Sequence, residues 1–372
     1  MVIVWITEFL LYICLCLLMG TLIFYSLSVE KRPSFFISKR LLLWATAGTG
    51  LLSFAPIVNT IIVMADGIGL WVSFKNVIFV FEVGQAWLFT LAMALLLFGL
   101  IYFNTLENDP FLSKIGVVLC ILLIAGYARA GHASSLLNYT GFAAHFMHLL
   151  AVAVWGGCLL VAAWFTQGLG NTNWLSFLKW YTPLAIVSVI VVIAAGLLTM
   201  NIDIAKPLDH SVSSTITQYK QGLFSNYGQA LLIKHILVIP LLLYALFNGF
   251  LGKRLKKYQS IKWARVESIV ILFIFAVTAF MGQQPPPHQP EQYINLYGPS
   301  PLFTVIYQSK VPSDFSVHFS WTPTSLIFIG FSLLFLIMMA SSVIKSSPRL
   351  VSLLMALGFL ASAYFATMSA IV

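Results

Sequence analysis

Residues 145–164 read HFMHLLAVAVWGGCLLVAAW: two histidines three positions apart, then sixteen residues without a charge. A run of this length can cross the hydrocarbon of a bilayer as a helix. No strand-like alternation of polar and apolar positions is present, and a backbone in hydrocarbon must satisfy its own N–H and C=O groups, so the stretch is helical. The pattern recurs along the chain. Spans are expected near residues 3–28, 40–64, 77–102, 113–131, 141–166, 180–201, 227–251, 266–284, 323–344 and 350–371. With 60% hydrophobic and only 8% charged residues among 372, the composition excludes a soluble domain. The expected fold class is all-α, a polytopic membrane helix bundle of about ten transmembrane helices.

Four regions follow from the spacing. Residues 1–130 hold the first four helices, 131–284 helices five to eight, 285–322 an outer loop, and 323–372 the last two helices. The loop opens with Pro285-Pro286-Pro287, which halts a helix. It then offers two β-prone runs, Leu302 to Tyr307 and Phe315 to Trp321, joined around Pro312-Ser313-Asp314. These predict a small extracytoplasmic hairpin before span nine. Residues 202–226 are polar, with Asp203, Asp209 and His210, and predict a capping segment.

The net charge of +9 reports topology rather than nucleic-acid binding. Lys31, Arg32, Lys39 and Arg40 flank the first connection, and Lys253, Arg254, Lys256, Lys257, Lys262 and Arg265 crowd the one between spans seven and eight. Ten spans put both connections on one side with Lys114, Lys179, Lys345 and Arg349, against Lys75, Lys206, Lys220 and Lys310 opposite. Positive loops stay inside, so a multi-pass protein of the cell membrane with both termini extracytoplasmic is expected. Membrane lipid is the only partner the charge implies. The first span lacks a basic leader and a small-residue cleavage site and is expected to be retained. Cys14, Cys16, Cys120 and Cys158 all lie within spans, so no disulfide framework is expected.

On this threading all seven histidines fall on the outer side. His132 ends span four, His145 and His148 lie about one and two turns into span five, and His235 lies about two turns into span seven, while His210, His288 and His318 belong to loops. Residues three apart on a helix share a face, so His145 and His148 form a metal clip, with His132 and His235 as candidates to complete it. Met147 points about 100° away from His148 and is a further candidate. Imidazole accepts copper, zinc, iron or nickel and thioether favours Cu(I), so the mixture leans toward copper. Two alternatives stay open: interfacial histidines bonded to loops or headgroups, and axial ligation of haem b by His148 and His235.

Glu8, Glu82, Arg129 and Lys234 lie in the outer halves of their spans and should face a polar vestibule. Glu82 could neutralise Lys234, ligate a cation, carry a proton, or simply pair with a lysine or arginine to fix packing. No phosphate loop, HExxH helix or nucleophile elbow is present, and an enzyme is not expected. Gly48, Gly50, Gly84, Gly156, Gly157 and Gly196 read as sites of close helix approach. Cys14 and Cys158 could pass a soft cation inward or act as small buried hydrophobes.

The stretch from His148-Leu149-Leu150-Ala151 to Trp155-Gly156-Gly157 resembles the His-Leu-Leu-Ala…Trp-x-Gly-Gly helix of the CopD family of bacterial copper membrane proteins. Gly131-His132-Ala133 resembles the Gly-His-Ala that precedes it there. Trp180 to Gly196, Tyr227-Gly228, Lys234, Asn248 and Arg265-Val266-Glu267 fall at similar intervals, so the likeness covers about 130–285. It departs at Cys158, where a second glycine is expected, and no CopC-like soluble domain is fused. The resemblance implies copper handling at the cytoplasmic membrane, often uptake, with an external carrier of CopC type. It carries over to His132, His148, Trp155 and Lys234; His145, Met147 and His235 come from the geometry above. The expected function is thus copper binding and uptake from an outer-face histidine site, or alternatively haem binding, or copper delivery to an assembly partner without transport. Membrane potential alone could drive uptake.

Overall fold

The computed structural model describes residues 2–167, 173–204, 211–250, 257–286, 290–307, 317–345 and 347–371. Two compact units divide between Ile202 and Asp203.

In unit 1 the helices are α1 (Val2–Ser26), α2 (Lys39–Leu52), α3 (Ala55–Ile68), α4 (Leu70–Lys75), α5 (Glu82–Phe103), α6 (Pro110–Arg129), α7 (His132–Leu136), α8 (Asn138–Phe165) and α9 (Trp174–Ile204), whose last two residues belong to unit 2. Unit 2 continues with α10 (Val212–Gly222), α11 (Asn226–Phe250), α12 (Lys257–Met281), α13 (Pro290–Tyr297), α14 (Pro301–Tyr307), α15 (Pro323–Ile344) and α16 (Arg349–Ser369). Among the described residues ten helices are long and apolar enough to cross a membrane, and each coincides with a span read from the sequence. The protein is a multi-pass membrane protein. Helix starts follow local chemistry. Asp109 accepts from Phe111 N and Leu112 N with Pro110 at the first helical position, and Thr322 caps α15 in front of Pro323 in the same way.

The second span differs in detail from expectation. α2 stops at Leu52 and α3 resumes at Ala55, so the apolar segment runs on to Ile68. The third begins at Glu82 rather than residue 77, because Asn76–Val80 winds as a π-helical turn that Phe81, in extended conformation, terminates. Ile57, Ile61, Val77 and Ile78 bury the resulting short hairpin of helices.

Close helix contact in unit 1 depends on glycine. α1 and α8 pack along much of their length, and a Cβ on Gly20 would lie 2.2 Å from Gly157 O, while one on Gly157 would lie 2.4 Å from Cys16 O. No larger residue fits this crossing. The buried thiols of Cys16 and Cys158 sit on the same two helices. The end that carries Lys31 and Arg32 is closed by aromatics. Phe24, Phe35, Phe177 and Trp180 pack edge to face, Trp180 Nε1 donates to Lys31 O at 2.6 Å, and Arg32 Nη1 donates to Phe24 O at 2.9 Å.

The hairpin expected before span nine is not present among the described residues. Its first strand, Leu302 to Tyr307, is instead helix α14. Pro301 starts that helix, and Phe303 turns fully inward against Phe224 with ring centroids 5.0 Å apart, so tertiary burial overrides the β-propensity of Val305 and Ile306. Residues 308–316 lie outside the described residues, and Phe319 forms an isolated bridge to Ile371 rather than a strand. The capping segment expected over 202–226 contains helix α10, with Ser211 accepting from Ser214 N at 3.2 Å. Lys206, Asp209, His210 and His288 lie outside the described residues.

Candidate metal site

His145 and His148 stand at the start of α8 and lean on different neighbours. His145 Nδ1 lies 3.2 Å from Ala128 O at the end of α6, and its ring fills the space beside Gly131, where a Cβ would come within 2.2 Å of Nδ1. His148 Nδ1 lies 2.9 Å from Val192 O on α9, beside Gly196. A carbonyl oxygen only accepts, so each Nδ1 carries the proton and the lone pair of each neutral ring lies on Nε2. That tautomer, fixed by a backbone carbonyl, is the one a metal-bound imidazole uses.

His132 is exposed at the first position of α7, two residues beyond Ala130, with its carbonyl accepting from Ser135 Oγ at 2.7 Å. Ala133 packs with Ala144 and Ile202, which ties α7 to the first turns of α8. Met147 is 43% exposed on the outer surface of α8, away from the faces its two histidine neighbours use. Trp155 is buried, accepts Tyr181 OH at its carbonyl at 3.2 Å, and has an indole N–H with no hydrogen-bond partner among the described residues. His318 is an exposed loop residue.

His235 belongs to unit 2 and is held differently. Its Nδ1 lies 3.1 Å from Tyr219 OH, and the two rings stack at 5.7 Å. Tyr219 is on α10, outside the spans, and burial pushes its hydroxyl up to about 12, so it keeps its proton at neutral pH. Lys234 lies in the field of Asp203, whose side chain is hydrogen-bonded to Tyr227 while its Oδ1 is buried with no hydrogen-bond partner among the described residues. Glu82, weighed above as a partner for Lys234 or a cation ligand, pairs with Arg129 at 3.0 Å; Arg129 in turn donates to Ser134 Oγ at 2.8 Å. The pair is half in solvent and links α5, α6 and α7.

Among the described residues no three His, Cys, Asp or Glu side chains converge closely enough to enclose a metal ion. What the sequence missed is the scaffolding: the carbonyls of Ala128 and Val192 carry no residue-type signal, whereas Asp203 at the end of span six and Tyr219 one loop before His235 could have been singled out as polar residues beside Lys234 and His235.

Two family models match the chain: Copper resistance protein D-like, N-terminal domain, over residues 2–139, and Copper resistance protein D over residues 175–281. No curated protein and no solved structure matches it. The two matched segments together cover more than half of the sequence, and the chain belongs to the copper resistance protein D family.

Proposed function

We propose that this protein captures copper ions at the outer face of the cytoplasmic membrane and takes them up. The observation that carries this reading is the pair His145 and His148, three residues apart near the outer end of α8, each with Nδ1–H committed to a backbone carbonyl and its lone pair on Nε2. Copper is the cargo. The charge asymmetry of the loops supports an orientation with both termini extracytoplasmic, which sets the histidines toward the outside.

In this reading His132, exposed at the start of α7, meets the ion first, and His145 and His148 take it into the helix bundle. His235, with Lys234 beside it, serves unit 2 in the same role, and Met147 and Trp155 border the path. A singly charged cation gains about 2.3 kcal/mol per 100 mV on moving inward, so no ATP-driven element is needed. An extracytoplasmic carrier of CopC type is the proposed donor. No enzymatic step is proposed.

The test is the copper content of purified wild-type protein against a His145→Ala/His148→Ala double variant, with absorption spectra of both, followed by copper movement into liposomes held at a negative interior potential. Less copper in the variant, which keeps only what His235 holds in unit 2, and potential-driven uptake by the wild type are expected. Equal copper in both proteins would sink the site. A Soret band lost in the variant would replace copper by haem b, and binding without uptake would make the protein a delivery factor.

A further inference from the structure

Glu8 is a buried carboxylate inside the first span, and the function proposed above leaves it without a part. Two independent registers set it at the level of the histidines of unit 1. The first is the α1/α8 crossing. The two helices run in the same direction, since the residues just after α1 bond those ending α8: Phe36 N to Phe165 O at 3.1 Å and Gln167 N to Ser34 O at 2.8 Å. They meet at Gly20 and Gly157. Glu8 precedes Gly20 by twelve residues and His145 precedes Gly157 by twelve, so at 1.5 Å per residue both lie about 18 Å beyond the crossing.

The second register is the end of α6. Tyr127 is hydrogen-bonded to Tyr12, one turn from Glu8 on α1, with ring centroids 6.4 Å apart, and both phenols lie in the field of the Glu8 carboxylate. The next residue, Ala128, offers the carbonyl that orients His145. Tyr12, Tyr127 and His145 therefore gather at the end of α6, with Glu8 one turn from Tyr12 on α1.

We propose that Glu8 supplies negative charge at the depth of the outer copper site in unit 1, acting through its field and not as a ligand, and that it strengthens capture of the cation by His145 and His148. Neutral imidazoles bring donor atoms but no charge. A cation that leaves water for a half-buried site loses hydration, and a carboxylate at the same depth offsets part of that loss. This inference rests on the copper reading of those histidines.

The experiment is competition for Cu(I) between a chromophoric chelator and the full-length protein in nanodiscs, with four samples: wild type, Glu8→Gln, Glu8→Asp and His145→Ala/His148→Ala. Glutamine keeps the shape and removes the charge, so a merely structural role would leave affinity unmoved. Glu8→Gln is expected to bind copper tenfold to a hundredfold more weakly with unaltered thermal unfolding, and Glu8→Asp to recover part of that loss. Wild-type affinity in Glu8→Gln, with copper lost from the histidine variant, would overturn the role of Glu8 and leave the site standing. Wild-type copper content and affinity in the histidine variant would remove both. Should Glu8→Gln not fold, Glu8→Asp decides: weakened binding supports the role, and wild-type binding makes Glu8 a packing residue.

Discussion

The histidines of the two units are held by different means. In unit 1 backbone carbonyls of Ala128 and Val192 fix His145 and His148, whereas in unit 2 the side chain of Tyr219 holds His235 and the side chain of Asp203 sets the field at its neighbour Lys234. A backbone acceptor cannot be deleted by substitution; it can only be pushed away. Side-chain partners can be removed one at a time. The unit 1 arrangement should therefore be robust to most changes outside its glycines, and the unit 2 arrangement vulnerable at single polar residues.

The largest expected effect is at Asp203. Asp203 is hydrogen-bonded to Tyr227 and lies in the field of Lys234, and removing a buried polar partner of this kind costs about 1–3 kcal/mol. Asp203→Ala should lower the thermal midpoint of the protein in detergent by several degrees, and Lys234→Met in the same chain should restore most of it. An unchanged midpoint in Asp203→Ala would mean that Lys234 finds its balance elsewhere and would weaken the contrast between the units.

Next comes Gly131→Ala. Its methyl group would overlap the His145 ring at 2.2 Å, so the imidazole must swing off Ala128 O, whereas Gly196→Ala meets His148 at 3.1 Å and needs only a few tenths of an ångström of relief. We expect about tenfold weaker copper binding for Gly131→Ala, since that change disturbs an orienting contact of a ligand, and at most about threefold for Gly196→Ala. Isothermal titration of both variants reads the difference, and equal affinities would show that the carbonyl anchors do not govern binding.

Tyr219→Phe follows. It keeps the stacked ring and removes one hydroxyl, a hydrogen bond worth about 1 kcal/mol, so copper affinity at His235 should fall by about fivefold. The measurement is best made in a His145→Ala/His148→Ala background, where unit 2 is read alone. No change there would remove Tyr219 as the residue that orients His235.

This ordering also marks what the sequence could disclose. Every span was legible, because charge-free runs of twenty residues have only one way to cross hydrocarbon, and the glycines at Gly157 and Gly196 read correctly as points of close approach. Leu302 to Tyr307 misled, because its β-branched residues carry a strand signal that the burial of Phe303 overrules. At the candidate site the imidazoles were visible and their orientation was not. Which ring nitrogen carries the proton depends on carbonyls 17 and 44 residues away in sequence, and a carbonyl has no letter of its own.

The smallest effect is expected at the residue that drew several readings from sequence alone. Glu82 is 67% exposed on its side chain and bonded to Arg129, a partly exposed pair of the kind that contributes about 0–1 kcal/mol. If that ion pair is all it makes, Glu82→Gln should shift the thermal midpoint by no more than about two degrees and leave copper affinity within about twofold of wild type. Arg129 would keep its bond to Ser134 and so hold α6 to α7 without it. A tenfold loss of copper in Glu82→Gln would mean that the carboxylate meets the ion on its way to His132, and the carbonyl anchors of His145 and His148 would then not be what limits capture in unit 1.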